Sequence, residues 1–342
     1  MAKCRQLAAI LTMLWAIACS AGGQPAGGPP PAATGRTEAL ASAGAAPATA
    51  PTAPPDLGNI RFVFPLPAMT MLPMHIASVQ GFDREEGFTA TFVQAPGTTG
   101  VRALQAGEVD FSESAGASLA AAVQGAPIRI VVVHVAKSLF WLYARPELTQ
   151  IGELRGRTLA VDALGGSQDV AARLRLQRQG VDPGSIYFLS MGGAQIPGAL
   201  IAGAVDAGVI APPQDIQLKR EGTFTDLGFL GDDLPSLTSG LGTTESLIAQ
   251  KPEMVRAAVR AALKGQRFLQ NNRAAAIPIM AEYMSLSEAE AALAYDNAIP
   301  HFTADGRVSV ELQERMVKDQ IEAVQPEREP SAQDLFVLRF VD

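Results

Sequence analysis

Cysteine is nearly absent: the 342 residues contain two, Cys4 and Cys19. Both lie near the N-terminus, so nothing downstream supplies a disulfide, a thiolate-ligated metal or a thiol nucleophile. Histidine is almost as scarce, and His75, His134 and His301 lack the spacing of a metal-ligand motif. No metal and no cofactor is expected. Acidic residues number 34 against 27 basic ones, giving a net charge of −7 without basic clusters, which argues against nucleic acid as a partner. Past the N-terminal segment no run of 18 apolar residues occurs, so no membrane-spanning helix is expected. Neither a Gly-x-Ser-x-Gly nucleophile elbow nor a phosphate-binding P-loop is present. The length suits two domains, or one domain of two lobes, with a large core.

Residues 1–18 read as an export signal. Lys3 and Arg5 give a positive start, Leu7 to Trp15 an apolar stretch, and Ala16-Ile-Ala-Cys19 a small-residue cleavage site. That last group resembles a bacterial lipobox, with Ala16 in place of the usual Leu and Cys19 as the lipidated first residue of the mature chain. An ordinary signal peptide with an incidental Cys is the alternative. Losing the two positive charges of Lys3 and Arg5 shifts the net charge from −7 to −9. Residues 19–58 are almost entirely Ala, Gly, Pro, Ser and Thr. Such a composition cannot bury enough apolar surface to offset its ordering entropy, so a disordered tether is expected.

One stretch occurs twice. Leu104-Gln-Ala-Gly-Glu-Val-Asp-Phe111 returns as Leu200-Ile-Ala-Gly-Ala-Val-Asp-Ala207, with Gly97 and Gly193 equally far upstream. In each copy a run of helix formers meets a Gly suited to the left-handed residue that closes a helix. A short β-prone run follows. The match is either chance among common residues or the mark of two similar α/β lobes with a cleft between them. Asp110 and Asp206 read as strand-end hydrogen bonders rather than ligand contacts.

Alternating strand and helix patterns run from Asn59 to Leu230, and the remainder becomes helical after Leu237–Thr244. Pro252 opens one helix and Ser287-Glu-Ala-Glu290 has the form of a capping box for another. The expected class is α/β, each half a mostly parallel sheet flanked by helices, with a helical C-terminal third. Ligands of such sheets sit beyond the carboxyl ends of the strands.

Several motifs in order carry a family resemblance: Ala77-Ser-Val-Gln-Gly-Phe-Asp-Arg-Glu-Glu-Gly87, Ala103–Asp110, Glu153-Leu-Arg-Gly-Arg157, Gln179-Gly-Val-Asp-Pro183 and Ala199–Ala207 followed by Pro212-Pro213. Over roughly residues 59–273 the chain resembles the solute-binding proteins of ABC transporters, in the nitrate/sulfonate/taurine and thiamine-pyrimidine-precursor group. Asp83 departs from it, standing where a second aromatic is usual. The resemblance implies a two-lobed periplasmic-binding-protein fold of type II that closes on a small solute. Lobe I would be 59–142, lobe II 143–237, and 238–342 a return to lobe I with the C-terminal helices; crossings near Tyr143 and Thr238 would serve as the hinge. It further implies a monomeric, extracytoplasmic, lipid-anchored protein that hands a sulfonate, carboxylate, or amine- or pyrimidine-type solute to an ABC permease, without catalysis. An enzyme of lyase type in the same cleft, or a sensor lobe for a membrane partner, are the alternatives.

The candidate ligand contacts are the loops at the strand ends. They are Ala68, Met69 and Thr70; Gly97 and Thr98; Glu113, Ser114 and Ala115; His134; Asp162; Gly165, Gly166, Ser167 and Gln168; Gly192; and Pro212. Gly165-Gly-Ser-Gln168 is either an anion site, its amides backed by a helix dipole, or a plain turn with Ser167 as helix cap. Glu113 and Asp162 either attract a cationic ligand or are solvated loop acids. His134 and Trp141 either stack on a planar ligand or pack at the hinge.

Overall fold

Alternation writes the first strand. In the computed structural model, which describes residues 55–162 and 164–341, Gly58–Phe64 forms β1, with Ile60 and Phe62 fully buried. Leu72–Gln80 (α1), Phe82–Glu85 (α2), Phe88–Gln94 (β2), Gly97–Gln105 (α3), Phe111–Ser112 (β3), Ala115–Val123 (α4) and Ile128–Lys137 (β4) complete the first passage. The chain then builds a second sheet from Trp141–Ala144 (β5), Thr158–Val161 (β6), Ser167–Arg178 (α5), Tyr187–Ser190 (β7), Ile196–Ile201 (α6), Ala207–Ile210 (β8), Gln214–Glu221 (α7) and Thr225–Phe229 (β9). It returns through Pro235–Thr244 (β10). Helices Glu245–Gln250 (α8), Pro252–Asn271 (α9), Arg273–Met284 (α10), Glu288–Ala298 (α11), Val310–Val324 (α12) and Ala332–Leu335 (α13) follow. The export signal, Cys19 and nearly all of the expected tether lie outside the described residues.

The two sheets share one plan. Their orders are β2-β1-β3-β10-β4 and β7-β6-β8-β5-β9. In each, three parallel neighbours are followed by a strand that runs against both its partners. That opposed strand is always the one arriving from the other sheet, so each lobe is locked into its neighbour. The sheets are therefore parallel only in part, because a chain that crosses over twice must enter each sheet against its grain.

β10 departs from expectation. Pro-Ser-Leu-Thr-Ser-Gly-Leu-Gly-Thr-Thr has few strand formers, yet it runs for 10 residues between β3 and β4. The reason is tertiary. A Cβ at Gly240 would lie 2.1 Å from the Val132 carbonyl oxygen, so the residue there must be glycine for β4 to approach.

The repeated stretch folds the same way twice. α3 and α6 each end before a left-handed glycine, Gly107 (φ +73°) and Gly203 (φ +71°). Beyond it, Asp110 donates its N–H to the Arg61 carbonyl (2.9 Å) and accepts from the Arg61 N–H through Oδ2 (2.8 Å). Asp206 does the same with Thr158, at 3.0 and 2.9 Å. Each aspartate pins the start of the central strand of its sheet. The departure at Asp83 has a similar account: fully buried, its Oδ2 accepts from the Ala90 N–H of β2 at 3.0 Å.

A hydrophobic seam joins the lobes. Met69, Leu72 and Ile76 pack in one cluster with Trp141, Tyr143, Ile210 and Ile216 of the second lobe and with Met280, Ala294 and Ala298 of α10 and α11. The capping box at Ser287 and Glu290 is present and starts α11.

Candidate functional site

The carboxyl ends of β1, β4, β6 and β8 converge on a chamber of about 240 Å³ between the lobes. Ala68, Met69 and Thr70 form one wall, held down because Met69 and Thr70 are buried in a single 3₁₀ turn. Ser138, Leu139 and Phe140 of the first crossing and Ser236 and Thr238 of the second form the back. Ser167, Ala211 and Pro212 enter from the second lobe, and Met284 from α10. Among the described residues that line it none carries a charge. Five bear hydroxyls, which donate and accept alike; Thr238 donates to the Lys137 carbonyl at 2.8 Å. Two thioethers and a phenyl ring supply polarisable apolar surface, suited to a flat ligand.

The second-lobe rim is built by internal hydrogen bonds. Gln168, buried, accepts the Asp162 N–H at 3.0 Å, and Asp169 Oδ2 accepts the Gly165 N–H at 2.9 Å while Oδ1 holds Arg173 at 2.8 Å. The cap of α5 is Gly166, with no side-chain bond; Ser167 is instead the first helical residue, exposed and lining the chamber. Gly193 lies against Asp162 and Gln168, and Gly192 is exposed beside it. The loop's own Asp169 thus already occupies one of the amides that an incoming anion would use.

On the first lobe, Glu113 is 3 % exposed and burial pushes its carboxyl well above the usual carboxylate range. Its field reaches the Tyr283 phenol, which burial raises, and Tyr283 stacks on His75 at 4.2 Å. Burial thus disfavours the charged form of Glu113, one of the two carboxylates that a cation-binding pair with exposed Asp162 would need. Ser114 caps α4 by position without a side-chain bond, and Ala115 is fully buried in the core of the lobe. Gly97 starts α3 close to Ser114, and Thr98 is exposed.

His134 stands apart from the chamber wall. It is buried in the first lobe, its Nδ1 2.6 Å from Gln266 Oε1, and burial lowers its pKa to about 4 against the opposing effect of that bond. Trp141 packs at the crossing, 4.9 Å from Phe229, which in turn stacks on His301 at 3.8 Å. Leu139, Phe140, Ser236, Thr238 and Met284 line the chamber although the sequence named none of them as a contact and Thr238 only as a hinge position. The crossings carry no ligand signature, and Met284 arrives from a helix far along the chain.

Residues 69–276, more than half of the chain, match the family described as NMT1/THI5 like. The chain belongs to that family. A curated relative, the riboflavin-binding protein RibY of Chloroflexus aurantiacus, is 27% identical over 230 residues, spanning 64% of this chain and 64% of that protein's own length. Among solved structures, the periplasmic aliphatic sulphonate binding protein SsuA from Escherichia coli superposes with a TM-score of 0.67 at 17% identity, over 81% of this chain and 97% of that one. The periplasmic nitrate-binding protein NrtA from Synechocystis PCC 6803 gives a TM-score of 0.52 at 17% identity, over 69% of each chain. At such identities these likenesses speak for the fold, which this NMT1/THI5-like chain shares: two α/β lobes of the type II periplasmic-binding-protein architecture. The family match starts at Met69, in the chamber wall, and ends within α10; α11, α12 and α13 lie beyond it.

Proposed function

We propose that this chain is an extracytoplasmic solute-binding protein that closes its two lobes on a small organic molecule and delivers it to an ABC importer. The observation that carries this reading is the chamber itself, which takes walls from both lobes and from both crossings between them. A ligand there is contacted by each lobe, so it binds the closed arrangement better than the open one and shifts the population toward closure. The lining favours an uncharged or weakly polar planar molecule over a small dense anion, since neutral hydroxyls face it and, among the described residues that line it, no guanidinium or ammonium does. The riboflavin-binding relative makes fused heterocycles part of the same field of candidates. Binding without turnover, a monomeric state, the lobe boundaries near Tyr143 and Thr238 and a lipid on Cys19 belong to the same reading.

A thermal-shift screen of flavins, pyrimidines, sulfonates, carboxylates and amines tests it. A true solute at ~100 times its dissociation constant should add about 2.7 kcal/mol of stability and be recovered chemically unchanged. A complete absence of stabilisers, or conversion of the bound molecule to product, would overturn the reading.

A further inference from the structure

The chamber has a neighbour. A second hollow of about 640 Å³ lies between α4 and α12 of the first lobe and α5 of the second. Ser167 and Ser236 line both spaces, so the two meet at this pair of hydroxyls. Their chemistry differs. The inner chamber is neutral, whereas the outer hollow is edged by Arg315, Asp319 and Glu322 of α12. Arg315 and Asp319 form only a loose pair, 4.0 Å apart with side chains 48% and 44% exposed. They therefore present donors and an acceptor to whatever lies alongside. Glu322 has a loose partner of its own in Lys318, 3.8 Å away, so the edge is close to balanced in charge.

We propose that the solute has two parts: an uncharged planar ring held in the inner chamber, and a neutral hydroxylated arm that passes between Ser167 and Ser236 and lies along α12 against Arg315 and Asp319. This rests on the binding-protein reading above and deepens it. A ring alone would leave the larger, more polar space to solvent; an anionic arm would meet the carboxylates of Asp319 and Glu322, and a cationic one the guanidinium of Arg315. The arm's contacts come from a helix outside the residues 69–276 that define the family.

The test uses the full chain and three probes with a related fused ring: lumichrome without an arm, riboflavin with a neutral polyol arm, and flavin mononucleotide with a phosphorylated one. Titration calorimetry is expected to give riboflavin an affinity at least about tenfold above lumichrome, the worth of one or two hydrogen bonds to charged groups. Flavin mononucleotide should bind more weakly than riboflavin. Arg315→Ala and Asp319→Ala should each reduce that advantage several-fold while leaving lumichrome binding unchanged. α12 packs through Met316 and Val317, so both variants keep the buried face of the helix. Lumichrome binding as tightly as riboflavin, tightest binding by flavin mononucleotide, or equal effects of the variants on all three probes would each overturn the proposal. If no flavin binds but a small sulfonate, carboxylate or amine does, the two-part solute falls and the binding-protein reading stands. If neither set binds, both fall.

Discussion

The opposed strand of each sheet fills the same topological slot with contrasting residues. In the first lobe it is β10, with Gly240 and Gly242 at its centre; in the second it is β5, Trp141-Leu-Tyr-Ala144. Both strands lie between a parallel neighbour group and an edge strand. The first lobe needs closeness there, because β4 and α4 press on the glycines. The second needs bulk, because Trp141 and Tyr143 fill the seam while Leu142 and Ala144 fill the lobe interior. Topology dictates that a strand must cross, and packing dictates what it is made of.

Substitutions in that slot should break the comparison most visibly. Gly240→Ala is expected to cost about 3–4 kcal/mol, since the new methyl meets backbone and cannot be relieved by a rotamer change. The reverse change in the second lobe, Ala144→Gly, should cost only about 1 kcal/mol. Urea unfolding of the two variants measures both, and equal losses would mean the two slots are not packed differently after all.

A second contrast concerns protons. His134 is buried and neutral in the first lobe, and the second lobe's β5–β9 span contains no histidine. Its folded pKa, about 4, lies below the ordinary 6.5, so protons bind the unfolded chain more readily. Its contribution is complete above about pH 6.5 and is lost as the pH falls towards 4, amounting to about 3 kcal/mol over the whole window. Part of the loss between pH ~6.5 and ~5 should vanish in His134→Gln, followed by chemical denaturation at each pH; His75 and His301, lowered by burial, act in the same direction, and Glu113, raised by burial, in the opposite one. An unchanged slope in that variant would place the proton elsewhere.

The smallest expected difference lies in the repeat. Asp110→Ala should cost about 2 kcal/mol and Asp206→Ala about 1 kcal/mol. Both lose a backbone partner, but Asp110 also grips Arg61 through Nε and Nη2 at 3.0 Å, whereas Asp206 has Arg145 and Arg157 only at 3.8 and 3.9 Å. Equal values from thermal melts would reduce the motif to its shared backbone bonds.

Much of this architecture was legible because its signals are local. The helix-closing Gly107 and Gly203, the aspartates after them, the alternation of β1 and the Ser287 capping box each act within a few residues. β10 was not legible, since its glycines answer to Val132, more than a hundred positions away. The candidate site divides the same way. Ala68, Met69, Thr70, Ser167 and Pro212, named from their places after strands, line the chamber. What sequence could not show was that Asp169 folds back on Gly165, that Glu113 is deeply buried, or that Met284 comes to the wall from α10. The last two depend on how separate segments meet, and the first on the backbone path of a single short loop.

The seam runs along one flank of the two lobes. α11 touches the Met69–Met71 turn of one lobe and α7 of the other, with Asn297 bonded to Asp215 and Glu290 2.9 Å from Arg220. Parting the lobes on that flank would strip Met280, Ala294 and Ala298 of their cover, while the flank between α5 and α12 is already hollow. The molecule is therefore stitched along one side and open along the other. A two-part solute of the kind proposed above would enter ring first past α12.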